Sequence, residues 1–279
     1  MNSKIIRSRA TTSCQQRIAR RAFNIYRLSR KRISWLFILG VNNSGTTLLE
    51  RIIGLHSEIS RLPEEGHYLS HTFQSPNQLK VRRIWTERLE VFRPESVHGF
   101  GLAASRLKWD WLCHYPIDKR TRFFMEKSPP NTVRSPWLQY HFKPASFIAV
   151  IRSPFAVVEG IRRREGYSVE RAALHWAVAN EILLDDLDRL DKALLVRYED
   201  LCSDPLKVTN QITDFLHIGQ YPSKLLYGSF PVHNSMRLPC PIKNFNQPSI
   251  EMLSSDDICR IEDIAGGVMD RLGYSCLNG

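Results

Sequence analysis

Four short strand-like runs, Trp35 to Val41, Arg122 to Met125, Ser146 to Ile151 and Ala193 to Arg197, alternate along the chain with stretches of helical spacing. That alternation predicts an α/β fold built on a mainly parallel sheet. The clearest helical pattern follows Ser168, where Val169, Ala172, Ala173, Trp176, Ala179, Leu183, Leu187 and Leu190 recur on one face. Ser168 is its predicted N-cap, although Arg171 stands where a capping box needs Glu or Gln. A last helix is expected to open at Ser255-Asp256-Asp257 and run toward Gly266 or beyond. Between these two helices, residues 228–248 contain Pro231, Pro239, Pro241 and Pro248 and few apolar repeats. They read as a long loop, a candidate cover for a ligand. No apolar run reaches the roughly 18 residues that a membrane span requires.

Charge divides the chain into a basic arm, residues 1–32, and a globular domain, residues 33–279. The arm holds ten Lys or Arg and no acid, which leaves 29 basic against 28 acidic residues in the rest. The net charge of +11 therefore belongs to the arm and gives the folded body no nucleic-acid signature. Within the arm, Ile18, Ala22, Ile25 and Tyr26 repeat at helical spacing among Arg17, Arg20, Arg21 and Arg27. Such a basic amphipathic helix suits either peripheral contact with an anionic membrane or packing on the body. An Arg-rich, acid-poor start also resembles an organelle transit peptide. The six cysteines are scattered without CxxC spacing, so neither a zinc site nor a disulfide framework is indicated, and a cytoplasmic setting is the simplest expectation. A lumenal setting would require an anchor outside this sequence.

The most informative segment runs from Phe37 to Leu49, where an apolar strand enters the turn Asn42-Asn43-Ser44-Gly45 and then a helix opening with Thr46-Thr47-Leu48. The N–H groups at such a helix start lack intrahelical partners, and the helix dipole favours an anion there. Gly45 allows close approach, and the threonines add hydroxyl donors. The turn lacks the Gly-Lys-Ser/Thr ending of a triphosphatase loop, which disfavours a nucleotide kinase.

Four more segments follow in order: Leu62-Pro63-Glu64-Glu65-Gly66-His67, Met125-Glu126-Lys127-Ser128-Pro129-Pro130-Asn131, Ile151-Arg152-Ser153-Pro154 and Arg197-Tyr198-Glu199-Asp200-Leu201. Each lies after the first helix or at a strand's C-terminal edge, where open parallel sheets gather ligands. With these motifs in this order, roughly residues 34–275 resemble the sulfotransferases that use 3′-phosphoadenosine 5′-phosphosulfate (PAPS), particularly the bacterial and tyrosylprotein branch. The resemblance implies a P-loop-like three-layer α/β/α fold with a mainly parallel central sheet. It implies transfer of a sulfuryl group from PAPS to a hydroxyl of a glycan, a peptide tyrosine or a small molecule, with 3′-phosphoadenosine 5′-phosphate (PAP) as product and no metal.

By the same resemblance, Asn42 to Leu48 form the 5′-phosphosulfate loop and Arg152 binds the 3′-phosphate. Arg164 adds a basic contact, Tyr198 lies on the adenosine side, and Arg237 reaches the 3′-phosphate from the late loop. Glu64, with Glu65 as its neighbouring alternative, falls on the catalytic base, and Lys127 on the lysine directed to the sulfuryl group. Two positions depart from the family pattern: Asn43 stands where Arg or Lys is usual, and Gly160 where serine contacts the 3′-phosphate. A missing preorganised donor costs about 2.7 to 4 kcal/mol in a transition state. This leaves a noncatalytic PAPS- or PAP-binding module as the alternative function; for a working transferase weakened at this position, Asn43→Arg is expected to raise turnover, provided the longer side chain fits. Glu64, His67 and His71 lack a recognised metal-ligand spacing.

Overall fold

The computed structural model describes residues 14–30, 33–116, 118–227 and 241–277. Five strands, β1 (Ser34–Leu39), β2 (Ile59–Arg61), β3 (Phe123–Lys127), β4 (Ala145–Ile151) and β5 (Ala193–Arg197), form one sheet in the order β2-β3-β1-β4-β5. Every pairing is parallel, so each connection crosses over a face of the sheet, and helices cover both faces. The four runs expected from the sequence are β1, β3, β4 and β5. β2 escaped notice because three residues are too few to display a period.

β1 lies at the centre and is buried on both sides. Its alternate residues separate cleanly: Trp35, Phe37 and Leu39 enter one core layer, and Leu36 and Ile38 the other. The first layer is aromatic, with Trp35 edge-on to Phe142 at 5.0 Å between ring centroids. The helix Val169–Leu187 lays Ala172, Ala173, Trp176, Ala179 and Leu183 against this layer, and Ser168 caps it by accepting the Arg171 N–H. The second layer receives Leu48, Leu49, Ile52 and Ile53 from α2 (Thr46–Ile53). The last helix, Ser255–Leu272, runs through Gly266 and begins with a complete capping box between Ser254 and Asp257.

Two features aim this scaffold at a site. After β3 the chain crosses β1 to lay down β4 on its other side, opening a crevice at the strands' C-terminal ends. The helix Val169–Leu187 also supports that crevice from beneath. Its His175, held neutral by burial with its pKa pushed down to about 3, lies edge-on to Trp85 at 4.7 Å. The Trp85 indole N–H in turn donates to Asn42 Oδ1 at 3.0 Å. Of the arm, α1 (Cys14–Ser29) is described, and it rests against the helix Gly101–Leu112. Residues 228–240, which include Arg237 and most of the expected cover loop, lie outside the described residues.

Candidate active site

The loops that follow the five strands enclose a cleft of about 830 Å³. Asn42, Asn43, Gly45, Thr46, Thr47 and Leu48 form its floor, and Glu64, Lys127, Arg152, Arg164 and Tyr198 stand around it. Seven Lys or Arg side chains line it against four Glu, a balance that suits a polyanion. Ser44 is turned away: it is fully buried, and both its N–H and its hydroxyl donate to the Val41 carbonyl, at 3.2 and 2.7 Å. Ser44 thus shapes the turn from inside.

Gly45, the cap residue of α2, adopts φ +97° in the left-handed region. A Cβ there would stand 2.5 Å from the Tyr198 ring, so both the backbone angle and the packing demand glycine. Leu49 donates its N–H to Gly45 O at 3.0 Å, which leaves the first N–H groups of α2 directed toward the cleft. The amides, the helix dipole and the two threonines make a main-chain anion cradle.

Arg152 closes this cradle on one side. It is 7% exposed and stacks on Tyr198, with its Cζ 4.2 Å from the ring centroid. Its Nη1 donates to Asn43 O at 2.8 Å and its Nε to Asn246 Oδ1 at 2.7 Å. Its Nη2 is buried without a hydrogen-bond partner, as are Asn43 Nδ2 and Arg51 Nη1 on the same cleft. Three orphaned donors are the complement of phosphate oxygens. Asn246 also donates to Glu199 Oε1 at 2.7 Å, so the described end of the late segment reaches the site.

The two departures from the family pattern touch one another. A Cβ on Gly160 would lie 3.1 Å from Asn43 Nδ2, so the absence of a side chain at 160 makes room for the amide. Asn43 Oδ1 accepts from two guanidinium groups, Arg83 Nη1 at 3.0 Å and Arg164 Nη1 at 3.1 Å. Burial and the neighbouring Arg83 charge lower the Arg164 pKa to about 10, which still leaves it charged at neutral pH. Cations therefore stand at the place where residue 43 itself brings none. Arg83 was missed in the sequence because it sits in an aperiodic stretch, at φ +67°, with no spacing to mark it.

This geometry sets a competing expectation beside the sequence-based one for residue 43. Asn43 adopts φ +69°, where Asn is tolerated better than most residues. Asn43→Arg would remove the shared acceptor and set a third guanidinium against two others. The variant is expected to lose thermal stability and to turn over no faster than wild type; a clear rise in turnover would show that Arg83 and Arg164 do not serve the reacting centre.

On the opposite wall, Lys127 Nζ pairs with Glu65 Oε1 at 2.6 Å, and Lys127 is 8% exposed. Glu64 is exposed and faces the same cleft. His67 lies 3.4 Å from Glu65 but is held neutral by burial, its pKa pushed down to about 4, so it adds no cation. The backbone of this segment is clamped at Gly66: its N–H donates to Glu126 Oε1 at 2.8 Å, and its carbonyl accepts the Trp111 indole N–H at 3.0 Å. Glu126 is itself fully buried, with its pKa raised mainly by burial, and accepts from Ser128 and Asn131. An acid directly after the apolar run Phe123-Phe124-Met125 was the available sequence signal for it. Among the described residues, no cluster of His, Cys, Asp and Glu has the makings of a metal site.

The Sulfotransferase family matches residues 36–222, more than half of the chain. The chain belongs to the sulfotransferase family. It is accordingly a PAPS-dependent transferase. Solved structures agree in fold. The chain is similar to the sulfotransferase domain from the curacin biosynthetic pathway, at 20% identity and TM-score 0.51, covering 87% of this chain and 98% of that one. It is similar to the sulfotransferase domain of the Synechococcus PCC 7002 olefin synthase, at 22% identity and TM-score 0.53, covering 84% and 95%. It is also similar to sulfotransferase STF9 from Mycobacterium avium, at 11% identity and TM-score 0.55, covering 93% and 82%. A sequence search among curated proteins finds no match.

Proposed function

We propose that this sulfotransferase binds PAPS with its 5′-phosphosulfate over the Asn42–Leu48 cradle and its 3′-phosphate on Arg152, and passes the sulfuryl group to a hydroxyl acceptor entering beside Glu64. The observation that carries the reading is the buried, unpartnered Nη2 of Arg152 beside a helix N-terminus. Two anion sites on one cleft fit a ligand with phosphates at both ends better than a triphosphate chain.

PAPS supplies an activated S–O bond to a good leaving group. Glu64 accepts the acceptor's hydroxyl proton as the acceptor oxygen bonds to sulfur. Lys127, released from Glu65 or shared with it, neutralises charge on the transferred group. Arg83 and Arg164, through their position over Asn43, offset the charge that builds on the departing bridging oxygen. Tyr198 packs under the adenosine side. Glycans, peptide tyrosines and small alcohols or phenols are all chemically admissible acceptors. A cytoplasmic setting belongs to the proposal and rests on the scattered cysteines. Among the described residues no helix is long and apolar enough to cross a membrane.

Calorimetry with PAP and ATP side by side tests the donor assignment. PAP is expected to bind and ATP to bind more weakly, because the loop offers no lysine for a γ-phosphate. Preference for ATP would remove the proposal.

A further inference from the structure

The helix of the basic arm faces the wrong way for a surface helix. An ordinary amphipathic helix turns its apolar stripe to the core, whereas the most buried residues of α1 are the polar Asn24 and Arg27, with Leu28 packed on the core beside them. Asn24, 1% exposed, donates to Leu112 O at 2.9 Å and to Tyr115 O at 3.3 Å. Arg27, 8% exposed, donates to Asp118 O at 2.6 Å and Thr121 O at 2.7 Å. The helix thus closes backbone carbonyls at the end of the helix Gly101–Leu112 and in the loop after it.

At about 100° per residue, Ile18, Ala22 and Ile25 fall on the side opposite Asn24 and Arg27, with Tyr26 at its margin. Ile18, Ile25 and Tyr26 are 59%, 38% and 53% exposed. Arg21 borders the stripe and stacks on Trp109 at 4.2 Å, while Arg30 stacks on Tyr26 at 5.6 Å. Trp109 itself is 52% exposed, and Leu102, two turns away on the same face of its helix, is 89% exposed. The surface is therefore a row of aliphatic side chains with aromatic rings and guanidinium groups at its rim.

We infer that α1 is a membrane-docking face: its outward apolar stripe enters the headgroup boundary of an anionic bilayer while the exposed Arg17 and Arg30 meet lipid phosphates. Charge selects this occupant. Residues 1–32 carry ten cations and no acid, so a self-complementary contact would set two such arms against each other. Anionic lipid instead attracts each exposed basic side chain, and Trp and Tyr favour that depth. The apolar stripe adds burial that a purely electrostatic contact would lack. The contact uses no residue of the transfer site and stands apart from the proposed activity.

Co-sedimentation of the full chain with vesicles tests this inference. The protein is expected to bind phosphatidylcholine–phosphatidylserine vesicles, to release in high salt, and to bind phosphatidylcholine alone weakly. The triple substitution Ile18→Ser, Ile25→Ser and Tyr26→Ser should lower partitioning at least about tenfold, with melting temperature and PAP affinity unchanged. Arg17→Gln with Arg30→Gln, which leaves the stripe intact, should weaken binding to the serine-containing vesicles only. Equal partitioning of wild type and the triple variant would overturn the inference. So would concentration-dependent dimerisation in sedimentation velocity that the triple variant abolishes, since a second copy would then cover the stripe.

Discussion

Glu64→Gln is expected to lower turnover about 10²- to 10⁴-fold while leaving PAP affinity near wild type. A positioned general base contributes about that much, and it acts on the acceptor's proton, not on the donor nucleotide. The neighbouring carboxylate supplies the control. Glu65 holds Lys127 at 2.6 Å, so Glu65→Gln releases the lysine and should alter turnover less than Glu64→Gln does. Sulfate transfer to a mixed panel of hydroxyl acceptors, with PAP binding measured in parallel, checks both. An active Glu64→Gln beside a dead Glu65→Gln would move the base by one residue and keep the chemistry. Wild type that binds PAP and sulfates no acceptor would sink the assignment of a base altogether.

Arg152→Ala should weaken PAP about 10- to 100-fold, since charge-assisted hydrogen bonds are worth about 1.5 to 3 kcal/mol. The comparison ligand is adenosine 5′-phosphosulfate, which lacks the 3′-phosphate and should hardly notice the change. Arg152 also touches Asn43, Asn246 and Tyr198, so its removal loosens three segments at once. Arg152→Lys separates the two effects: it keeps the charge, loses the forked geometry and should recover part of the PAP affinity. Equal weakening of both ligands by Arg152→Ala would mark the arginine as a structural tie.

What the chain discloses in advance follows from how local each signal is. β1, β3, β4 and β5 were legible because apolar runs and turn residues are contiguous, and the cradle because Asn42 to Leu48 sit side by side. The helix after Ser168 was legible from its 3.6-residue period. The partners of those residues were not: Arg83 meets Asn43, and Asn246 meets Arg152, only after distant segments are folded together. Periodicity located the stripe on α1 correctly but could not tell which side faces the body. That was decided by backbone carbonyls at Leu112, Tyr115, Asp118 and Thr121, which leave no trace in a hydrophobic pattern. The proximity of Asn43 and Gly160 was equally hidden, because more than a hundred residues separate them in the chain.

The strand order carries a consequence for how the molecule comes into being. β1 must wait for β3 and β4, which are made roughly a hundred residues later, before it has neighbours on either side. Such long-range parallel pairing is slow to nucleate, because chain closure is costly before any contact repays it. The cradle leaves β1, and Lys127, Arg152 and Tyr198 lie at the ends of β3, β4 and β5. A chain emerging from the ribosome therefore has no donor site until nearly all of the sheet has been synthesised and registered. A chain cut before β5 lacks Tyr198 and one wall of that site.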